Sequence, residues 1–108
     1  MNYYKIKGSC PKAYALLIKY YSIDESLIGT RYFPEDYLGR NLYDFFDSQG
    51  IIVEITKYYH NAGNTKWNYD VSDELNYNLG NNFDEYATRT EAEEKAFEKA
   101  FEILEDKL

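Results

Sequence analysis

The sequence predicts an α+β fold: an antiparallel meander of three to four strands, with helices packed on one face, ending in a long amphipathic C-terminal helix. Three observations predict it. Residues 90–108, TEAEEKAFEKAFEILEDKL, repeat apolar side chains at three- and four-residue spacing. From Ile51 the hydrophobic period changes to two, as in half-buried strands. Asn61-Ala62-Gly63-Asn64 then separates two alternating runs, the signature of a hairpin.

Taken in order, residues 3–7 alternate weakly and predict a short strand broken by Gly8 and Ser9. Pro11 suits the first turn of a helix with Ser9 or Cys10 as its cap, and Ala13, Leu16, Leu17 and Tyr20 follow at helical spacing. Residues 11–21 therefore read as a helix, although so apolar a run also fits a buried strand and periodicity alone leaves both open. Residues 22–39 hold Gly29, Pro34 and Gly39 and read as an irregular connection packed down by Ile28, Tyr32, Phe33, Tyr37 and Leu38. Residues 41–49 predict a short helix capped by Asn41, with Leu42, Phe45 and Phe46 on one face and Gly50 in the left-handed closing position.

In the first strand Ile51, Val53 and Ile55 point one way and Glu54, Thr56 and Tyr58 the other; in the second, Trp67, Tyr69 and Val71 alternate with Lys66, Asn68 and Asp70. Leu75, Tyr77 and Leu79 predict a third strand, and residues 83–88 offer a fourth short one. Thr90 and Glu93 form a capping box for the last helix. Ala92, Ala96, Phe97, Ala100, Phe101, Leu104 and Leu108 make its dry face, while Lys95, Glu94, Glu98, Glu102 and Glu105 point to water.

A chain of 108 residues, 29% charged and 44% apolar, is expected to form one domain spanning residues 1–108. The net charge of −7 is uneven: residues 1–21 carry +4 and residues 22–108 carry −11. An acidic chain is a poor general binder of phosphates, so nucleic acid is not the expected partner, and the basic N-terminal segment is expected beside the acidic last helix. The longest apolar run, residues 13–18, is too short to span a bilayer, and no signal peptide is evident, which predicts a cytoplasmic protein with no membrane partner. A lone Cys10 excludes an internal disulfide.

No catalytic, cofactor or metal motif stands out. Cys10 at a helix start suits a lowered thiol pKa with His60 as the one imidazole, but no third group orients the pair, and a structural thiol is the plainer reading. Asp70, Asp73, Glu74 and Asn76, or Asn78, Asn81, Asn82 and Asp84, lack the spacing of a calcium loop and read as turn residues. Thirteen tyrosines leave rings for the surface, and the hairpin gathers Tyr58, His60, Asn61, Asn64, Trp67 and Asn68, flat rings and amides suited to gripping a partner.

The order helix, three strands, helix is similar to that of the double-stranded-RNA-binding fold. That family opens its last helix with a lysine cluster, whereas Glu91, Glu93 and Glu94 stand at the matching positions here, which argues against RNA binding. GRNLYDFFDSQGIIVEI at residues 39–55 and TRTEAEEKAFEKAFEILE near the C-terminus resemble small proteins, without assigned activity, encoded by phages and mobile elements of gut bacteria. That resemblance implies a small cytoplasmic accessory protein and carries over no site residue. The expected function is a non-enzymatic protein-interaction module that binds a protein partner, with a homodimer and an acidic inhibitor imitating DNA's charge pattern as special forms. The alternatives are a small ligand-binding domain or enzyme with a pocket between sheet and helices, and a nucleic-acid binder using Lys5, Lys7, Lys12 and Lys19 with Tyr3, Tyr4 and Tyr14 as stacking rings.

Overall fold

The computed structural model describes residues 3–22, 26, 42–60, 64–73 and 85–108, with backbone alone at Tyr59, His60 and Asn64. Its elements are helices α1 (Tyr3–Ser9), α2 (Pro11–Tyr21) and α3 (Leu42–Ser48), strands β1 (Ile51–His60) and β2 (Asn64–Asp73), and helix α4 (Arg89–Lys107). The α+β class and the terminal helix are as expected. The sheet is not: it has two strands among the described residues. The expected third strand at residues 75–79 lies outside them, as do the Asn41 cap, all but Ser22 and Ser26 of the connection at residues 22–39, and residues 61–63 of the turn. Of the expected fourth strand at residues 83–88, the described residues 85–88 make one bridge, in which Tyr86 and Trp67 exchange both backbone hydrogen bonds at 2.9 Å.

The N-terminal strand is also corrected: residues 3–9 are helical. Five residues were too few to separate period two from period 3.6. Tyr3, Ile6, Cys10, Ala13, Tyr14 and Leu17 recur three and four apart and are all buried, so one stripe runs through both helices. Pro11 marks the junction. It sits in the first turn of α2, where its missing N–H costs nothing, while the Cys10 N–H closes α1 on the Ile6 carbonyl at 2.7 Å.

α2 has Cys10 at its N-cap, but that side chain makes no capping bond. The cap comes from α4 instead: Glu105 accepts the Lys12 N–H at 3.2 Å through Oε1 and the Ala13 N–H at 2.8 Å through Oε2. Glu105 therefore faces α2 rather than water. Lys5 Nζ lies 3.8 Å from Glu98, so the basic segment does sit beside the acidic helix.

α4 is capped two residues earlier than the Thr90 box predicts, because 88–91 has the same Thr-x-x-Glu form. The Thr88 hydroxyl oxygen accepts the Glu91 N–H at 3.2 Å. Glu93 is thus released from capping and accepts a 2.6 Å hydrogen bond from the Tyr43 phenol on α3. Its dry face is as expected except at Leu108, which is half exposed beyond the last turn. The face packs on both strands, α3 packs on β1, and α1 and α2 pack on α4. Phe45, Phe46, Phe97 and Phe101 join these layers, and buried residues of all six elements form one cluster. Gly50 closes α3 with φ +74°, as its position required.

The Tyr43–Glu93 contact carries a pH dependence. Burial first, and the carboxylate it donates to second, push the Tyr43 phenol up to about 12 from an ordinary 10. A raised phenol pKa favours the folded state while the group is protonated, so its contribution is whole below pH 10 and is lost as pH rises towards 12. In denaturant titrations the stability advantage of wild type over Tyr43→Phe is expected to shrink across that interval. An advantage that stays constant would refute the assignment.

Candidate functional site

The hairpin register pairs Ile51 with Asp73, Val53 with Val71, Ile55 with Tyr69, Lys57 with Trp67 and, at its end, His60 with Asn64. Alternation then assigns each side chain a face. Ile51, Val53, Tyr69, Val71 and Asp73 lie on the helix side and are buried. The buried Asp73 carboxylate is held there by Lys107 from the end of α4 at 2.6 Å. Ile52, Glu54, Thr56 and Tyr58 of β1, with Lys66, Asn68 and Asp70 of β2, lie on the opposite, open face, where Ile52, Glu54 and Thr56 are exposed and Tyr58, Lys66, Asn68 and Asp70 are half-buried.

The core stops partway along this ribbon. Beyond the Ile55–Tyr69 pair no described hairpin side chain is buried: Thr56 and Lys57 are exposed, and Tyr58, Thr65, Lys66, Trp67 and Asn68 are half-buried. The expected binding residues are distributed over this outer half, but not as one patch. Tyr58 and Asn68 are on the open face, Trp67 is on the helix side, His60 and Asn64 close the ribbon, and Asn61 is outside the described residues.

Trp67 is half-buried and anchored. Its backbone bridges to Tyr86, the Tyr86 ring stacks on Tyr69 at 6.2 Å, and Lys57 Nζ stands 5.8 Å from the Trp67 ring centroid. Because Trp67 turns its N–H and C=O towards Tyr86, its pairing with Lys57 is of the non-hydrogen-bonded kind, which brings those two side chains close. On the other face the Tyr58 phenol is pushed up, mainly by burial and then by its hydrogen bond to Glu85. The Asn68 amide oxygen accepts the neighbouring Tyr69 N–H at 2.7 Å, so part of this side chain serves the strand itself.

The other candidates are placed differently from what the sequence suggested. The Cys10 thiol is buried, and its pKa is raised, first by that burial and then by Glu105, Glu102 and Asp106, against the lowering hydrogen bond from Ser9. A helix-start thiolate is therefore not what the fold makes at Cys10. Tyr3 and Tyr14 are buried and closed to bases, leaving Tyr4, 70% exposed, as the one open ring of that trio. Asp70 and Asp73 fall on opposite faces, and among the described residues no three His, Cys, Asp or Glu side chains are grouped to hold a metal ion. No described helix is long and apolar enough to cross a membrane.

The sequence reading missed the charges on the ribbon. Residues 55–69 contain Lys57 and Lys66 and no acid, while Glu54 and Asp70 face each other just inside. The signal was available in the register, not in the composition of either strand alone. No family model matches this chain, and no curated protein or solved structure matches it.

Proposed function

We propose that this chain is a small protein-interaction module whose contact element is the outer half of the β1–β2 hairpin. One observation carries the proposal: a two-stranded ribbon bearing Tyr58, Lys57, Lys66 and Trp67 extends past Tyr69, the last buried side chain described on it. A ribbon without a packed face is marginal in water. Its anchoring by the Tyr86 bridge holds a rigid aromatic and two cations outside the core, the combination enriched at protein contacts. The outer face of α4 supports the DNA-imitating form less well. Its acids alternate with bases, as in Arg89–Glu93, Lys95–Glu98 and Lys99–Glu102, rather than forming a continuous anionic track.

The test places a photo-crosslinking residue at Thr65, beside Trp67, or at Lys95 on α4, and exposes each to host lysate. A heterologous adduct formed from position 65 alone, and lost when Trp67→Ala is added with the circular dichroism unchanged, is the expected result. Absence of any adduct, or identical adducts from both positions, would end the proposal.

A further inference from the structure

On the open face of the hairpin the charges form a pattern that is complementary to itself. The pair Thr56–Asn68 lies at its middle; one step inward is Glu54 opposite Asp70, and one step outward is Tyr58 opposite Lys66. Two carboxylates directly across a strand pair repel each other. Asp70 is half-buried on this face. Lys66 cannot relieve the repulsion at Asp70 within the chain. The two residues are four apart on one strand, about 14 Å at 3.4 Å per residue.

We infer that this face is an isologous contact for a second copy of the chain, with Lys66 of each copy meeting Asp70 of the other. The required symmetry follows from the pattern. A two-fold axis lying between the two sheets, perpendicular to the strands and passing over the Thr56–Asn68 pair, reverses strand direction and keeps β2 over β2. It sets the inward row of one copy over the outward row of the other, so Asp70 meets Lys66 twice. An axis parallel to the strands would instead lay Glu54 and Asp70 over Asp70 and Glu54, four acids together. Charge alone therefore selects the antiparallel arrangement. Ile52, 46% exposed, adds apolar surface on the same face. A two-stranded face is smaller than the roughly 800 Å² per partner of a standard interface, so the association is weak and concentration-dependent. Trp67, on the opposite face, stays available to another partner.

The proposal concerns a different partner from the one above and is tested on the purified chain alone by sedimentation equilibrium from micromolar to millimolar concentration. Wild type is expected to dimerise, less strongly in high salt. Lys66→Glu and Asp70→Lys, each placing like charges together, are each expected to weaken the dimer roughly tenfold or more. An equimolar mixture of these two variants restores both attractions and is expected to dimerise, as is the doubly substituted chain. Circular dichroism of each variant separates loss of association from loss of fold. A wild type that stays monomeric throughout, single variants that dimerise as it does, or a mixture that fails to regain association would each overturn the inference. None of these outcomes bears on the lysate crosslink from position 65.

Discussion

Phe46→Ala is expected to lower the stability of the fold by about 3–5 kcal/mol, the range for truncating a fully buried aromatic. Phe46 is 0% exposed and sits where α3 meets α4. Its ring contacts Phe101 edge-on at 4.9 Å, lies stacked on Phe97 at 6.1 Å, and meets Phe45 at 5.1 Å. Removal forfeits the transfer of the ring from water, leaves a cavity between two helices, and deletes edge-to-face pairs that contribute beyond buried area. Domains of this size are stable by roughly 5–15 kcal/mol, so the loss is a large part of the whole. Urea denaturation followed by circular dichroism reads it directly. Phe46→Leu, which keeps most of the volume, is expected to lose much less, and Tyr4→Ala at a 70% exposed position should stay within about 0.5 kcal/mol. A Phe46→Ala variant as stable as Tyr4→Ala would mean that α3 is not seated on α4 as described.

Phe46 was legible in the sequence because three signals agreed on it: helical spacing with Leu42 and Phe45, a glycine stop at Gly50, and a change of period at Ile51. The same holds for Ala96, Phe97, Ala100 and Phe101, whose spacing persists over nineteen helical residues. Where the run was short the reading failed. Residues 3–9 hold too few repeats to choose a period, and their helical stripe becomes visible only when Ile6 is connected across Pro11 to Ala13 and Leu17. The start of α4 shows a different limit: Thr88 and Thr90 each stand three residues before a Glu. The choice fell to Thr88, and Glu93 instead receives the Tyr43 phenol, a contact across 50 residues of chain.

The binding residues were legible as a composition but not as a surface. Tyr58 and Trp67 are close along the hairpin, yet register places them on opposite faces, because odd positions of one strand lie across from odd positions of the other. Only pairing reveals that Glu54 opposes Asp70 and that Lys66 lies one row beyond the central pair. Local propensity cannot supply this, since shifting the turn by one residue would invert every assignment.

Glu105→Ala is expected to cost about 1–2 kcal/mol, the upper part of the range for losing an N-cap. A helix start leaves backbone N–H groups without intrahelical partners; Pro11 has none to leave, and Cys10 caps nothing. The Lys12 and Ala13 donors both go to the Glu105 carboxylate, and Ala13 is 0% exposed, so water does not readily replace the acceptor there. The negative charge at the positive end of the α2 dipole adds to the bonds themselves. Glu105→Gln keeps one acceptor and loses the charge, and should fall between. Hydrogen exchange distinguishes this from a general loss of stability: the Lys12 and Ala13 amides should lose protection before the rest of α2. Glu98 supplies the contrast on the same helix. It meets Lys5 and Lys95 through exposed ammonium groups at 3.8 Å and 3.7 Å, and such pairs are worth little, so Glu98→Ala should change stability by less than about 0.5 kcal/mol. Two glutamates that the helical pattern treats as equivalent thus differ because one faces solvated lysines and the other faces buried backbone. Equal effects from the two substitutions would show that α2 is not held to α4 by this cap.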